Sequence, residues 1–171
     1  MNFIADDGIL FKPNAVNGKQ YLLDSKTSPG FLNCYPVFAK VSEAGDLGFT
    51  TGQWEYRKAK DSVAIYFENF CTVWQLKKIG ELKFVIDFGN SNNKPNEDLV
   101  PLCYIKNSNT HPKNKNNASP DIDELIKKDK SFYQNVATKE KQANYNKYFS
   151  ANSRFLRDDH FRLVINQILN L

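Results

Sequence analysis

Leu47-Gly48-Phe49-Thr50-Thr51-Gly52-Gln53-Trp54-Glu55-Tyr56 is the stretch whose reading decides the fold. It is rich in aromatic and β-branched residues, long enough for a full strand, and preceded by Glu43-Ala44-Gly45-Asp46, a glycine-bearing hairpin turn. Upstream of that turn, residues 37–42 form the partner strand. Downstream, residues 63–76 are an unusually long apolar and aromatic run that reaches residues 82–88 through Lys77-Lys78-Ile79-Gly80-Glu81, another hairpin with glycine. Loops this short cannot supply the crossover that a parallel sheet needs, so the long strands pair antiparallel in a strongly curved meander. Residues 3–11 read as one more strand, residues 18–23 as a short run or helical turn, and Ser28-Pro29-Gly30 as the loop before the meander.

Beyond residue 88 the composition changes. Gly89-Asn90-Ser91-Asn92-Asn93-Lys94-Pro95-Asn96 is turn-forming, residues 99–105 are a short apolar island, and residues 106–119, dominated by Asn, Lys, Ser and Pro, are the clearest linker. Residues 120–171 are a helical segment with a short strand. Ser119 is placed to cap a helix with Pro120 in its first position, and Asp121 and Asp123 suit the positive end of its dipole. Ile122, Leu125, Ile126, Phe132, Tyr133 and Val136 follow helical spacing and make one apolar face. Thr138 can cap a second helix whose buried side would be Ala143, Tyr145, Tyr148 and Phe149. Such faces must pack on something, and the sheet of residues 1–105 is the obvious partner. The expected class is therefore α+β, a curved antiparallel, cone-like sheet packed against C-terminal helices.

Composition limits the function classes. A hydrophobic share of 41% and an aromatic share of 13% exclude disorder, collagen and coiled coil. Three cysteines (Cys34, Cys71, Cys103) without a CxxC pair, and two histidines, assemble neither a disulfide framework nor a zinc site of ordinary spacing, so no metal and no cofactor are expected. No uncharged apolar run reaches membrane-spanning length, and the acidic start at Asp6-Asp7 is unlike a signal peptide. A soluble chain without membrane contact follows, and unpaired cysteines favour a reducing, cytoplasmic setting. The net charge of +4 comes mostly from lysines; Arg57, Arg154, Arg157 and Arg162 are the only arginines. The densest basic group, Lys113-Asn114-Lys115, lies in the linker without interleaved aromatics, which reads as solvated chain and not as a nucleic-acid surface.

A faint repeat runs through the chain. Phe3-Ile4-Ala5-Asp6-Asp7-Gly8-Ile9-Leu10-Phe11 aligns with Phe149-Ser150-Ala151-Asn152-Ser153-Arg154-Phe155-Leu156-Arg157, and Val16-Asn17-Gly18-Lys19 with Val164-Ile165-Asn166-Gln167. The first of these segments, Pro13, Gly18, the stretch from Gly45 to Tyr56, Thr72-Val73-Trp74 and Leu82-Lys83-Phe84-Val85-Ile86-Asp87 resemble the SnoaL-like and ketosteroid-isomerase-like superfamily. That is the cone-shaped fold of nuclear transport factor two, and the resemblance is to its small bacterial branch of unknown function. Residues 123–157 similarly resemble the opening helices and first strand of such a domain. The resemblance implies helices before strands, the reverse of the order here. Three arrangements satisfy it: a piece cut from a tandem pair, a permuted single domain, or a homodimer whose helices are exchanged.

Candidate chemistry is sparse. Asp6-Asp7 could serve acid–base work, but neighbours on a strand point to opposite faces, and Asp-Asp-Gly is good turn chemistry. Asp87, at the end of its strand, is the best candidate for a catalytic base, weighed against a capping role. Trp54 and Tyr56 share a face of one strand, Phe70, Thr72 and Trp74 of the next, and Phe84, Ile86 and Phe88 of the last; such a stripe reads as core or as pocket wall. If a pocket exists, the expected lining is Trp54, Tyr56, Asn69, Trp74 and Asp87. His111 in the linker and His160 beside Asp158-Asp159 in a turn read as solvated, the cysteines as small buried hydrophobes, and no glycine-rich phosphate loop is present. The leading expectation is a pocket protein binding a small apolar or amphipathic molecule without an assigned reaction. The alternatives are an isomerase, dehydratase or hydrolase using Asp87 with Tyr56 or Trp54 orienting the substrate, or a structural, dimer-forming module.

Overall fold

The computed structural model describes residues 3–26, 29–78, 80–94, 103–104, 122–136, 145, 147–149, 153–157 and 160–164. The chain divides into two compact units, Met1–Asn107 with Leu156–Phe161, and Ser108–Phe155 with Arg162–Leu171. The fold is α+β.

The first unit is built on an open seven-stranded sheet in the order β2-β1-β6-β5-β4-β3-β7. Its centre is the expected meander of β3 (Phe31–Val41), β4 (Leu47–Arg57), β5 (Ala64–Leu76) and β6 (Leu82–Asn92), all antiparallel. Both foreseen hairpins form, with Gly45 at φ +76° and Gly80 at φ +81°, a left-handed backbone that other residues seldom adopt. The Ser42 amide donates to the Leu47 carbonyl at 2.7 Å, and the Ser42 hydroxyl accepts from the Leu47 amide at 3.2 Å. Two strands run longer than the sequence pattern suggested: β3 begins at Phe31 and β6 continues to Asn92.

The sheet is mixed, which corrects the purely antiparallel expectation. Strand β1 (Ile4–Phe11) lies parallel to β6, and the two-residue β7 (Cys103–Tyr104) lies parallel to β3 beside Phe38 and Ala39. The hairpin argument governs only strands joined by short loops. β1 is separated from β6 by the whole meander, so nothing in a hairpin constrains its direction. Between Ile4 and Ile9 its register slips, and this irregular stretch is the one containing Asp6-Asp7-Gly8. Both carboxylates there face solvent; Lys19 pairs with Asp6 and lowers its pKa.

After β1 a tight turn through the cis Lys12–Pro13 peptide leads to β2 (Ala15–Asn17), antiparallel to β1, and then to helix α1 (Gly18–Asp24). Asn17 caps α1, its side-chain oxygen accepting from the Gln20 amide at 2.9 Å. Gly18 is obligatory for the packing: a Cβ there would stand 2.6 Å from Ile4 Cδ1 and 2.7 Å from Leu10 Cγ. Ile4 and Leu10 are thus packed against α1 and, like Ala5, buried, each of the two large side chains contributing roughly 1.5–3 kcal/mol. Val37 and Phe38 form the second buried apolar pair.

Three bulges interrupt the meander. Val37 is extra relative to β4, Ile65 relative to the end of β4, and Val85 relative to β5. Each bulge bends its strand and reverses the alternation beyond it. The one at Val85 corrects the expected aromatic stripe: Phe84 sits across from Trp74, whereas Ile86 and Phe88 belong to the opposite face.

In the second unit α2 (Ile122–Val136) forms as expected, with Asp123 and Glu124 in its first turn; its proposed cap, Ser119 and Pro120, lies outside the described residues, as does Thr138. Its apolar face is not the buried one. Ile122, Leu125, Ile126 and Tyr133 are exposed, and Phe132 packs edge-on to Tyr133, Tyr148 and Phe149. The Tyr148 hydroxyl bonds Ser131 Oγ at 2.7 Å and accepts from Asn135 Nδ2 at 2.9 Å. Strands β8 (Arg154–Arg157) and β9 (His160–Val164) form a two-stranded sheet, which places His160 in a strand and not in a turn. No helix among the described residues is long and apolar enough to cross a membrane.

Candidate functional site

Register across the meander sorts the candidate residues by face. One cross-strand row runs Ala39–Thr50–Thr72–Asp87–Leu10, the next Pro36–Gly52–Phe70–Gly89, and a third Cys34–Trp54–Glu68–Ser91, with Tyr56 opposite Tyr66 beyond it. Trp54, Tyr56, Phe70, Trp74 and Asp87 thus share one face, here the tryptophan face. The contacts agree: Thr72 Oγ1 donates to Asp87 Oδ1 at 2.6 Å, Trp74 Nε1 donates to Thr50 Oγ1 at 3.1 Å, and the Trp74 and Phe84 rings meet edge-on at 5.7 Å.

Asn69, the fifth expected residue, lies on the other side of the sheet. It is fully buried, opposite Gln53 on β4 and Asn90 on β6. The row Tyr35–Gln53–Asn69–Asn90 makes this the amide face, and no ligand on the tryptophan face can touch Asn69 without passing through the sheet. Gln53 is only 4% exposed, and its Nε2 has no acceptor among the described residues.

Next to that row lies a polar cluster absent from the sequence reading. Glu55 accepts from Arg57 Nε at 2.9 Å, from Asn33 Nδ2 at 3.1 Å and from the Tyr35 hydroxyl at 3.2 Å, while Arg57 reaches on to the Ser62 carbonyl at 2.8 Å. Burial pulls the Glu55 pKa upward, but the three donors and the guanidinium charge outweigh it and hold the carboxyl below its ordinary value. A parity argument could have found this cluster, since Gln53 and Glu55 alternate with Trp54 and Tyr56. At the hairpin end of the same face, Phe49, Cys71, Val73 and Phe88, with Lys40 at the rim, line an apolar depression of about 480 Å³.

The tryptophan face carries different electrostatics. Burial pushes the Asp87 carboxyl above its ordinary value against the Thr72 hydrogen bond and the Lys12 charge, and burial likewise raises Glu68 against Lys12. Beyond the Thr72 bond Asp87 has no hydrogen bond or ion pair among the described residues, and Glu68 has neither. Cys34, next to Trp54, is raised by partial desolvation and by Asp87, and on the amide face Cys71 is raised by the same causes to about 11. Both thiols stay protonated near neutrality and are poor nucleophiles. Cys34 is exposed and Cys71 half-buried, so neither is the fully buried small hydrophobe that was expected.

Chemically, the tryptophan face offers aromatic rings and a carboxyl that burial draws towards its protonated form. Tyr56 is fixed in place by the chain before β3, since a Cβ on Gly30 would fall 2.2 Å from its ring. Among the described residues no group of three His, Cys, Asp or Glu side chains is placed to hold a metal ion. Compared with known families and with curated proteins, the sequence matches none of the family models and none of the curated sequences.

Proposed function

We propose that the chain is a pocket protein of the SnoaL-like, ketosteroid-isomerase-like kind, whose tryptophan face binds a small apolar or amphipathic molecule. The observation that carries the reading is that Trp54, Tyr56, Phe70 and Trp74 share one side of the meander with half-buried Asp87 and Glu68. The cone-like part of this reading is a curl of the sheet towards this side. The bulges at Val37 and Val85 supply the bending that such a curl requires.

The protein contains two tryptophans, both on this face, so intrinsic fluorescence reports on it directly. Nile red, an uncharged apolar dye, is expected to bind saturably with energy transfer from tryptophan, and Trp54→Leu to weaken it several-fold. Absence of saturable binding, or binding indifferent to Trp54→Leu and Trp74→Leu alike, overturns the reading.

A catalytic reading is favoured by one further observation: burial leaves Asp87 poised to accept and release a proton, with the Thr72 hydroxyl fixing one oxygen. Asp87 would act as base, and the register sets Trp54 four and Tyr56 six residues along from its row, too far to orient a small substrate there. In a screen of carbonyl and ester substrates, Asp87→Asn should abolish any turnover found; unchanged turnover removes Asp87 from the reaction.

A further inference from the structure

The acids of the tryptophan face set the chemistry of its ligand, and this inference rests on the pocket reading above. Glu68 sits directly across from Trp54, and Asp87 lies in the row of Thr50 and Thr72, beside Trp74. Among the described residues Glu68 accepts no hydrogen bond and joins no ion pair, while Asp87 has the single bond from Thr72. Lys12 acts on both at a distance but forms an ion pair with neither. A carboxylate drawn out of water without a cation in contact is an unfavourable arrangement that a cationic partner relieves. The π faces of tryptophan and tyrosine attract the same type of partner. Neither feature favours an anionic ligand, and a neutral one would leave both carboxylates as they are.

We propose that the tryptophan face recognises an organic ammonium with an apolar or aromatic body, its cation held by Glu68 or Asp87 and an adjoining tryptophan ring. The two acids are separated by four residues along the strands and one strand spacing, on the order of 14 Å before any curl, so a single ammonium engages one of them at a time.

The test compares benzyltrimethylammonium with neopentylbenzene, its uncharged isostere in which carbon replaces nitrogen, by tryptophan fluorescence on the full chain, with Nile red as the control for an open pocket. The cation is expected to bind about tenfold tighter than the isostere, the scale of one partly desolvated cation–ring and charge contact. Glu68→Gln or Asp87→Asn should cut that ratio at least threefold, and the double variant should bring it to parity. Equal or tighter binding of the isostere overturns the inference and leaves the pocket reading intact, as does a preference that survives both substitutions. If the cation, the isostere and Nile red all fail to bind, both readings fall. Circular dichroism of the variants separates loss of recognition from loss of fold.

Discussion

The two faces of the meander handle carboxylates in opposite ways. On the amide face Glu55 is surrounded by donors from Asn33, Tyr35 and Arg57 and is held ionised. On the tryptophan face Asp87 and Glu68 have one hydrogen bond between them and are pushed towards the neutral form by burial. The same functional group is thus clasped by donors on one side and left with few of them on the other. A carboxylate supplied with donors adds to stability, whereas one left half-buried costs stability and is available to a ligand.

The harshest way to break the comparison is to remove the separation between faces. Gly52 and Gly89 flank Phe70, and a Cβ on them would fall 2.0 Å from the Tyr35 carbonyl oxygen and 2.1 Å from that of Asn69. Backbone cannot yield as a side-chain tip can. Gly52→Ala and Gly89→Ala should each cost on the order of 3 kcal/mol or more in chemical denaturation, at the upper end of overpacking effects.

Next in size is Glu55→Gln, which strands Arg57 and weakens three hydrogen bonds, a loss of about 1–3 kcal/mol at neutral pH. Because the folded-state pKa of Glu55 is depressed, its contribution is present above the ordinary glutamate pKa and is lost as pH falls through the folded value. Parent and variant melting temperatures should therefore converge in acid.

Asp87→Asn should run the other way. The folded-state pKa is raised, so the protonated form is the one the fold favours; stability is fully present below the unfolded pKa and declines as pH rises through the folded one. The asparagine keeps an acceptor for Thr72 without the buried charge, and the variant should equal or exceed the parent in melting temperature at pH 7, by about 1 kcal/mol at most. A variant less stable at pH 7 than at pH 4 relative to the parent would show that the carboxylate is held by partners after all. The smallest effect concerns Cys71, whose thiol, raised to about 11, should react with a disulfide reagent at pH 8 far more slowly than a free cysteine.

How much of this was legible in the sequence follows from where the signals lie. Gly45 and Gly80 mark both hairpins, and the aromatic and β-branched runs mark the strands, so the meander could be read directly. The side of each strand could not, because the bulges at Val37, Ile65 and Val85 fall on ordinary strand residues, and a single extra residue inverts everything beyond it. Phe84 was assigned to the face of Ile86 and Phe88 for that reason. Asn69 is a case of the same kind: pairing counted outward from the loop at residues 58–63 sets it opposite Gly52, on the side of Trp54, and the extra residue Ile65 moves it opposite Gln53. Glu55 alternates with Trp54 and Tyr56, but its donors Asn33 and Tyr35 lie on β3 and meet it only through the β3–β4 register. The parallel β1–β6 pair joins segments far apart in the chain, and no local signal announces it.

Strand β3 lies beside the two-residue β7, and along much of its length its outer edge has no strand partner among the described residues. Such an edge is a template on which a stranger's backbone can add. Here it carries Pro36, which has no N–H to offer, followed at once by the kink of Val37. A foreign strand laid along it would lose a hydrogen bond and then fall out of step. The bulge that confounded the reading of faces thus also makes the border of the sheet a poor seed for aggregation.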